Sequence, residues 1–150
     1  MPIVVKQEAA QESKISKLDE RVLPYISMNE INYIAFEEPS IEYHIELYGY
    51  MQNKLDKTVR ELDDWLKGCG IINGDNLYDW YDTRNLEKTE DKKTLPYCVR
   101  NNIDHPLVDD ACDSRKHNAY VNNSQFNNSD LIRKSIEIMR EAIINNVEFI

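Results

Sequence analysis

Glycine is scarce in this sequence of 150 residues, and its scarcity excludes the commonest phosphate-binding loops. The glycines are Gly49, Gly68, Gly70 and Gly74, so the second half of the chain has none. P-loop and dinucleotide-binding motifs need glycines at fixed spacings between a strand and a helix, because the backbone must approach the phosphates closely. The chain has neither motif, and it has no G-x-S-x-G nucleophile motif. We expect no nucleotide binding through a glycine loop.

Positive charge is also in short supply. The chain has 18 lysine and arginine residues against 27 aspartate and glutamate residues, a formal net charge of −9 at pH 7. Affinity for nucleic acid comes mostly from basic side chains that neutralise phosphates, so the excess of acid argues against direct binding of nucleic acid. Apolar residues make up 41% of the chain, which is ordinary for a globular protein.

Long apolar runs and a cysteine framework are missing as well. No run approaches the roughly 18 apolar residues of a membrane-spanning helix, so we expect no membrane partner. The first residues lack the apolar run of a secretory leader. The three cysteines are odd in number and irregularly spaced, which favours a reducing compartment over a disulfide scaffold. We expect a protein of the host cytoplasm or of a virus particle that is not secreted.

The strongest pattern present is an apolar stripe between residues 41 and 67. Its members recur at spacings of three and four, typical of one helix face: Ile41, Ile45, Tyr48, Leu55, Val59, Leu62 and Leu66. Ser40 supplies an N-cap, and Gly68 supplies a left-handed C-terminal stop. The spacing predicts one central helix over about 41–67, on the order of 40 Å long.

A second stripe lies near the end of the chain. Its members are Ile132, Ile136, Met139, Ile143 and Val147. The segment 128–130 (Asn-Ser-Asp) is typical of a helix N-terminus, so the sequence predicts a helix over about 129–147. We predict a mainly α fold, a helical bundle in which this helix packs against the central one.

The remaining chain predicts shorter elements around this bundle. Residues 1–12 form an N-terminal arm, and residues 13–150 form a single helical domain. Helical spacing continues over 13–23, and Ser27 with Glu30 matches a capping box before residues 31–36.

The stretch 85–127 has no sustained period and is rich in Asn, Asp and Lys. We expect an irregular segment there that can hold short strands or other short elements, such as 95–99 and 119–121. Before it, Asp75 or Asn76 can cap a short helix that carries Leu77 and Trp80.

Candidate metal ligands occur in this irregular segment. They are Cys98, His105, Cys112 and His117. The pair Cys112 and His117 resembles one arm of a zinc site, whereas Cys98 and His105 are seven positions apart, outside the usual spacing. The alternative is a buried thiol with exposed imidazoles. Because that alternative is the commoner reason for such residues, we expect no metal and no cofactor.

Aromatic residues offer the best candidates for contacts with other proteins. The chain has nine tyrosines and two tryptophans, residue types that are enriched at protein interfaces. We predict partner contacts at Tyr43, Tyr50, Trp80 and Phe149. His44, in the first turn of the central helix, is predicted to be a surface residue or a further partner contact.

In size and layout the chain resembles the small, mostly helical head–tail connector or ring proteins of tailed phages. The resemblance covers residues 13–85 and the last helix. It carries no diagnostic motif, so no functional residue transfers. It implies a non-enzymatic structural protein of the virus particle that acts through protein–protein contacts, in a homo-oligomeric ring or a hetero-assembly.

Two alternatives stay open. The negative charge suits an acidic inhibitor or regulator that occupies a basic site on a host protein, although the acid is spread over both halves of the chain. The second alternative is a small metal-dependent enzyme or zinc module that uses residues 98–117.

Overall fold

Helices dominate the computed structural model, which describes residues 20–70, 72, 77–80, 92–104 and 122–150. The α-helices whose bounds lie within these described residues are α1 (Met28–Phe36), α2 (Ile41–Leu55), α3 (Val59–Gly68), α4 (Leu95–Asp104) and α5 (Ser129–Asn145). The same part of the chain forms the short strands β1 (Leu77–Tyr78) and β2 (Lys93–Thr94) and the 3₁₀ turns Ser124–Asn127 and Val147–Phe149. The predicted mainly α class is confirmed.

The single long helix predicted over 41–67 is divided into α2 and α3, a correction with a local cause. Asp56 ends α2 in the left-handed region, at φ 53°. Thr58 then starts α3 with a complete capping box, because its hydroxyl accepts from Glu61 N and the Glu61 carboxylate accepts from Thr58 N. The sequence carried this signal as Thr-x-x-Glu, inside the apolar stripe that hid it.

The core lies where α2, α4 and α5 meet, and the predicted packing of the central and C-terminal helices is confirmed. Each of the three helices contributes side chains with no exposed surface: Leu47 and Met51 from α2, Leu95 and Val99 from α4, and Ile136 and Met139 from α5. Burying a side chain of this size stabilises the fold by roughly 1.5–3 kcal/mol. These contacts hold α2 and α5 together as one rigid layer.

The C-terminal helix begins where the sequence predicts and ends slightly earlier. The side chain of Asn128 caps α5 by accepting from two backbone N–H groups. The helix ends at Asn145, and Asn146 is extended, so Val147 belongs to a 3₁₀ turn instead of the last helical turn.

The strands correct the short helix predicted around residues 77–80. Leu77 pairs with Thr94 and Tyr78 with Lys93 in an antiparallel ladder. Tyr78 lies edge-on to Phe126, with ring centroids 5.8 Å apart; this long-range packing overrides the local helical pattern. Because β2 falls inside 85–127, the prediction that this stretch holds a short strand is confirmed, whereas residues 95–99 belong to α4.

Several predictions lie outside the described residues. These are the arm over 1–12, most of the helix over 13–23 and the element at 119–121. Among the described helices, none combines the length and the apolar character needed to cross a membrane.

Candidate interaction surface

A buried carboxylate attaches the chain before α1 to the helical core. Ser27 caps α1 as predicted, but Glu30 does not complete the capping box. Glu30 is fully buried, and its carboxylate accepts from the backbone N–H groups of Val22 (3.1 Å) and Leu23 (3.4 Å) and from the hydroxyl of Tyr43 (2.8 Å). The segment before α1 is therefore held in a fixed position.

Arg140 of α5 completes this network from the opposite side. Its guanidinium lies 3.5 Å from the Glu30 carboxylate and donates to the Tyr43 hydroxyl (2.7 Å) and the Glu20 carbonyl (2.7 Å). It also lies over the ring of Tyr33, 5.5 Å from the centroid. Burial raises the pKa of the Tyr43 phenol well above its usual value, so Tyr43 stays neutral and donates to Glu30. The network joins the N-terminal segment, α1, α2 and α5.

The loop that enters α1 is fixed a second time, by Glu46 on α2. Three side chains of this loop and the first turn of α1 donate to the Glu46 carboxylate: Tyr25 Oη (3.1 Å), Ser27 Oγ and Asn29 Nδ2 (3.4 Å). Two apolar side chains of the same stretch are in solvent, Ile26 of the loop at 75% exposure and Met28, the first residue of α1, at 65%. Ile26 and Met28 are therefore exposed on a segment that hydrogen bonds hold in place.

The C-terminal 3₁₀ turn attaches to the core through aromatic rings. Phe149 packs against Tyr50 of α2 and Trp65 of α3, with ring centroids 5.8 Å apart in both pairs. The indole N–H of Trp65 donates to the Glu148 carboxylate at 3.1 Å. Val147 and Ile150 flank this cluster with 79% and 97% of their surface exposed.

These two attachments are continuous across α2, since Tyr50 lies one helical turn after Glu46. We call the combined set the aromatic surface; it comprises Tyr25, Glu46, Tyr50, Trp65, Glu148 and Phe149. Each member is exposed or half-buried. Apart from Tyr50 and Phe149, sequence reasoning missed this surface.

The four predicted partner contacts fall into two pairs. Tyr50 and Phe149 are in mutual contact on the aromatic surface. Tyr43 is fully buried in the Glu30 network, and Trp80 is 6% exposed and packs against Phe126. Tyr43 and Trp80 therefore act as core residues in this structure.

His44 is also buried, which corrects its prediction as a surface or partner-contact residue. It has no exposed surface, and its Nε2 lies 2.6 Å from the Ser135 hydroxyl, which is equally buried. Burial lowers the pKa of His44 to about 3, so the imidazole is neutral. Although the pair resembles a nucleophile with its base, no substrate can reach it in this conformation. It joins α2 to α5.

Of the zinc candidates, only Cys98 lies in the described part of the chain. It is fully buried in α4, and burial raises the pKa of its thiol well above the usual value. His105, Cys112 and His117 lie outside the described residues. Among the residues that the structure describes, no three histidine, cysteine or acidic side chains are placed to hold a metal ion.

Asp63 is a second buried carboxylate, and its contacts are structural. It accepts from the backbone N–H and the hydroxyl of Thr94, at 2.9 and 2.7 Å, and lies 3.3 Å from Lys67 Nζ. The Thr94 hydroxyl in turn accepts from Tyr97 N in the first turn of α4. Asp63 thereby fixes the start of α4 on α3.

A polar cavity of about 240 Å³ lies between α1 and α5. Its lining residues are Glu20, Tyr33, Ile34, Glu37, Arg133, Glu137 and Arg140. Their polar groups mostly bond to one another: Tyr33 donates to Glu137, Arg133 to the Glu37 carbonyl (2.9 Å), and Arg140 to the Glu20 carbonyl. Because these groups already have partners, the aromatic surface is the stronger candidate site.

Comparison of the chain with protein-family models, with curated proteins and with solved structures gives no match. The assignment of a site therefore depends on the contacts of the chain's own residues.

Proposed function

We propose that this chain is a non-catalytic assembly subunit that acts through contacts with other protein chains. The observation that supports the proposal most is the pair of exposed side chains, Ile26 and Met28, on a loop that Glu30 and Glu46 hold in place. Covering such side chains is favourable by roughly 1.5–3 kcal/mol each. Since the loop is already ordered, a partner that covers them loses little conformational entropy.

The C-terminal turn adds a second exposed apolar set. Ile144, Val147 and Ile150 each leave more than 60% of their surface in solvent. Scattered single apolar residues on a surface are ordinary, whereas groups of them typify interaction sites. Both sets include chain neighbours of the aromatic surface, since Ile26 follows Tyr25 and Val147 precedes Glu148, which supports a contact with another subunit there.

The narrower form of the proposal is a ring or head–tail connector component of a tailed-phage particle. It follows from the resemblance in size and helical layout. In that setting the partners are further copies of the chain or neighbouring subunits of the particle. Mass spectrometry of peptides from purified particles tests this form, with the chain expected at a fixed ratio to the other structural proteins.

The general proposal is tested by weakening the exposed loop without unfolding the protein. We expect the wild-type chain to sediment as an oligomer, or to purify from its source with a stoichiometric partner. The double variant Ile26→Ser with Met28→Ser should lose that association, while circular dichroism shows an unchanged helical content.

Phe36→Ser is the matched control, since Phe36 is 69% exposed at the opposite end of α1. This variant should still associate. A wild-type chain that stays monomeric at every concentration and purifies from its source without a partner would contradict the proposal. Equal loss of association in the control would show that the loop has no special role.

A further inference from the structure

The two chain segments that supply most of the aromatic surface contain no lysine and no arginine. Residues 22–53 carry five glutamates and no basic residue: Glu30, Glu37, Glu38, Glu42 and Glu46. Residues 141–150 carry two more, Glu141 and Glu148, again without a basic residue. Glu30 is buried with Arg140, and the other six are exposed or half-buried. The excess of acid therefore lies on the Glu46 side of Tyr50 and in the C-terminal turn, whereas exposed Lys54 lies one helical turn beyond Tyr50.

Two of these carboxylates, those of Glu46 and Glu148, lie on either side of an aromatic pair. Tyr50 follows Glu46 by one turn, about 6 Å along the helix axis. Its ring centroid is 5.8 Å from that of Phe149, the neighbour of Glu148 in the chain. The order across the surface is thus carboxylate, two rings, carboxylate.

Neither carboxylate is neutralised by a cation of the described chain. Glu46 accepts only from the uncharged side chains of Tyr25, Ser27 and Asn29, and Glu148 accepts only from the Trp65 indole. The basic residue nearest to Trp65 in α3, Lys67, lies against the buried Asp63. Both carboxylates keep free acceptor positions, since each oxygen can accept more than one hydrogen bond.

We propose that the aromatic surface binds a basic segment of a partner protein. Arginine or lysine side chains of that segment bind the Glu46 and Glu148 carboxylates, and its apolar side chains cover Tyr50 and Phe149. A guanidinium suits this surface best, because it bonds a carboxylate through two N–H groups and stacks on aromatic rings. The inference rests on the proposed assembly function and specifies the chemistry of the partner.

Charge favours a basic protein segment over a second copy of the chain or a nucleic acid as the partner. Two copies of the chain that meet through this same surface bring the same glutamates together and repel each other, whereas a head-to-tail ring contact joins different faces. A nucleic acid brings phosphates, which these carboxylates also repel. A basic protein segment is attracted at long range and supplies both the cations and the apolar contacts.

The two tryptophans allow a direct test by NMR. Trp65 belongs to the aromatic surface, whereas Trp80 is 6% exposed and packs elsewhere, so its indole signal is an internal reference. The probe is a synthetic amphipathic peptide with two arginines one helical turn apart among leucines and alanines. We expect it to shift the Trp65 indole N–H signal in a saturable way and to leave the Trp80 signal in place.

Paired variants isolate the carboxylates. Glu46→Gln with Glu148→Gln keeps the size of both side chains and should weaken peptide binding about fivefold or more. Glu38→Gln with Glu141→Gln removes the same charge from exposed positions of the same two segments that are not members of the aromatic surface, and should change binding by less than about twofold. A peptide with glutamine in place of both arginines should bind the wild-type chain about as weakly as the arginine peptide binds the variant Glu46→Gln with Glu148→Gln.

Three results would overturn the inference. The first is that the Trp65 signal does not move with the arginine peptide. The second is that both pairs of variants weaken binding equally. The third is that unlabelled copies of the chain shift the Trp65 signal as the peptide does. If the chain assembles but the peptide does not shift the Trp65 signal, the assembly function stands and the proposal of a basic partner is wrong. If the peptide binds and the chain never assembles, the failure lies in the assembly function.

Discussion

The two ends of the described chain attach to the same helical core by different chemistry. Residues 20–23 are held by a buried network of Glu30, Tyr43 and Arg140. Residues 147–150 are held by half-buried rings, in which Phe149 contacts Tyr50 and Trp65. The first attachment is polar and inside the protein, and the second is apolar and at its surface.

This difference indicates which attachment stabilises the fold and which can serve contacts. A buried ion pair is costly to break, since removing one partner leaves the other charged and out of water. A half-exposed aromatic contact loses only part of its burial when one ring is removed. The N-terminal attachment should therefore dominate stability, and the C-terminal attachment should be tolerant of change.

The largest expected effect comes from Arg140→Met, which leaves the Glu30 carboxylate buried without a cation. We expect the free energy of unfolding to fall by about 3–5 kcal/mol, measured by urea denaturation. Arg133→Met is the control, because exposed Arg133 donates only to the Glu37 carbonyl, and its effect should stay below about 1 kcal/mol. Similar losses for both variants would show that the buried pair of Glu30 and Arg140 contributes no more to stability than an exposed arginine.

A smaller effect is expected from a change of pH. It acts through the buried, uncharged pair of His44 and Ser135 that joins α2 to α5. Burial lowers the pKa of His44 to about 3 in the folded protein, against 6.5 for an exposed histidine. Between these values the unfolded chain binds a proton that the folded chain does not, so stability falls as the pH decreases. From pH 6.5 to about pH 5 the loss should be about 2 kcal/mol.

Denaturation of the double variant His44→Leu with Ser135→Ala isolates this contribution. Titration of the carboxylates is common to both proteins, so the difference in pH dependence belongs to His44. The variant should lack the additional loss of about 2 kcal/mol. Identical profiles for the two proteins would mean that His44 is accessible to protons in the folded state.

The smallest effect is expected from Phe149→Ala at the C-terminal attachment. Losing the two ring contacts should cost about 1 kcal/mol, and the Trp65 indole N–H signal should move because its neighbour is gone. Ile150→Ala is the control, since Ile150 is 97% exposed; it should change neither quantity. A loss as large as that of Arg140→Met would reverse the ranking of the two attachments.

Local chemistry predicted the beginnings of the helices well. Ser27, Ser40 and Asn128 were each predicted to cap a helix and do so, because a cap is formed by neighbours in sequence. The break between α2 and α3 was also encoded locally, by Thr58 and Glu61. The apolar stripe concealed it, since apolar residues recur at spacings of three and four on both sides of the break, although Ile41 and Ile45 at its start are exposed.

The polar interior was beyond sequence reasoning, because its partners are distant along the chain. Glu30 and Arg140 are 110 positions apart, and His44 and Ser135 are 91 apart. No spacing rule links such residues, so Glu30 was assigned to a local cap and His44 to the surface. The aromatic surface was predicted only in part for the same reason. Tyr50 and Phe149 were identified separately along the sequence, and the folded chain brings them into contact.

The distance between Glu30 and Arg140 also bears on how the protein forms during synthesis. Ribosomes add roughly 5–20 residues per second, so the 110 positions that separate the two residues correspond to a delay of roughly 5–20 s. Until α5 is made, the carboxylate of α1 lacks the cation that it has in the folded protein. The Glu30 network therefore forms only after residue 140 has been translated.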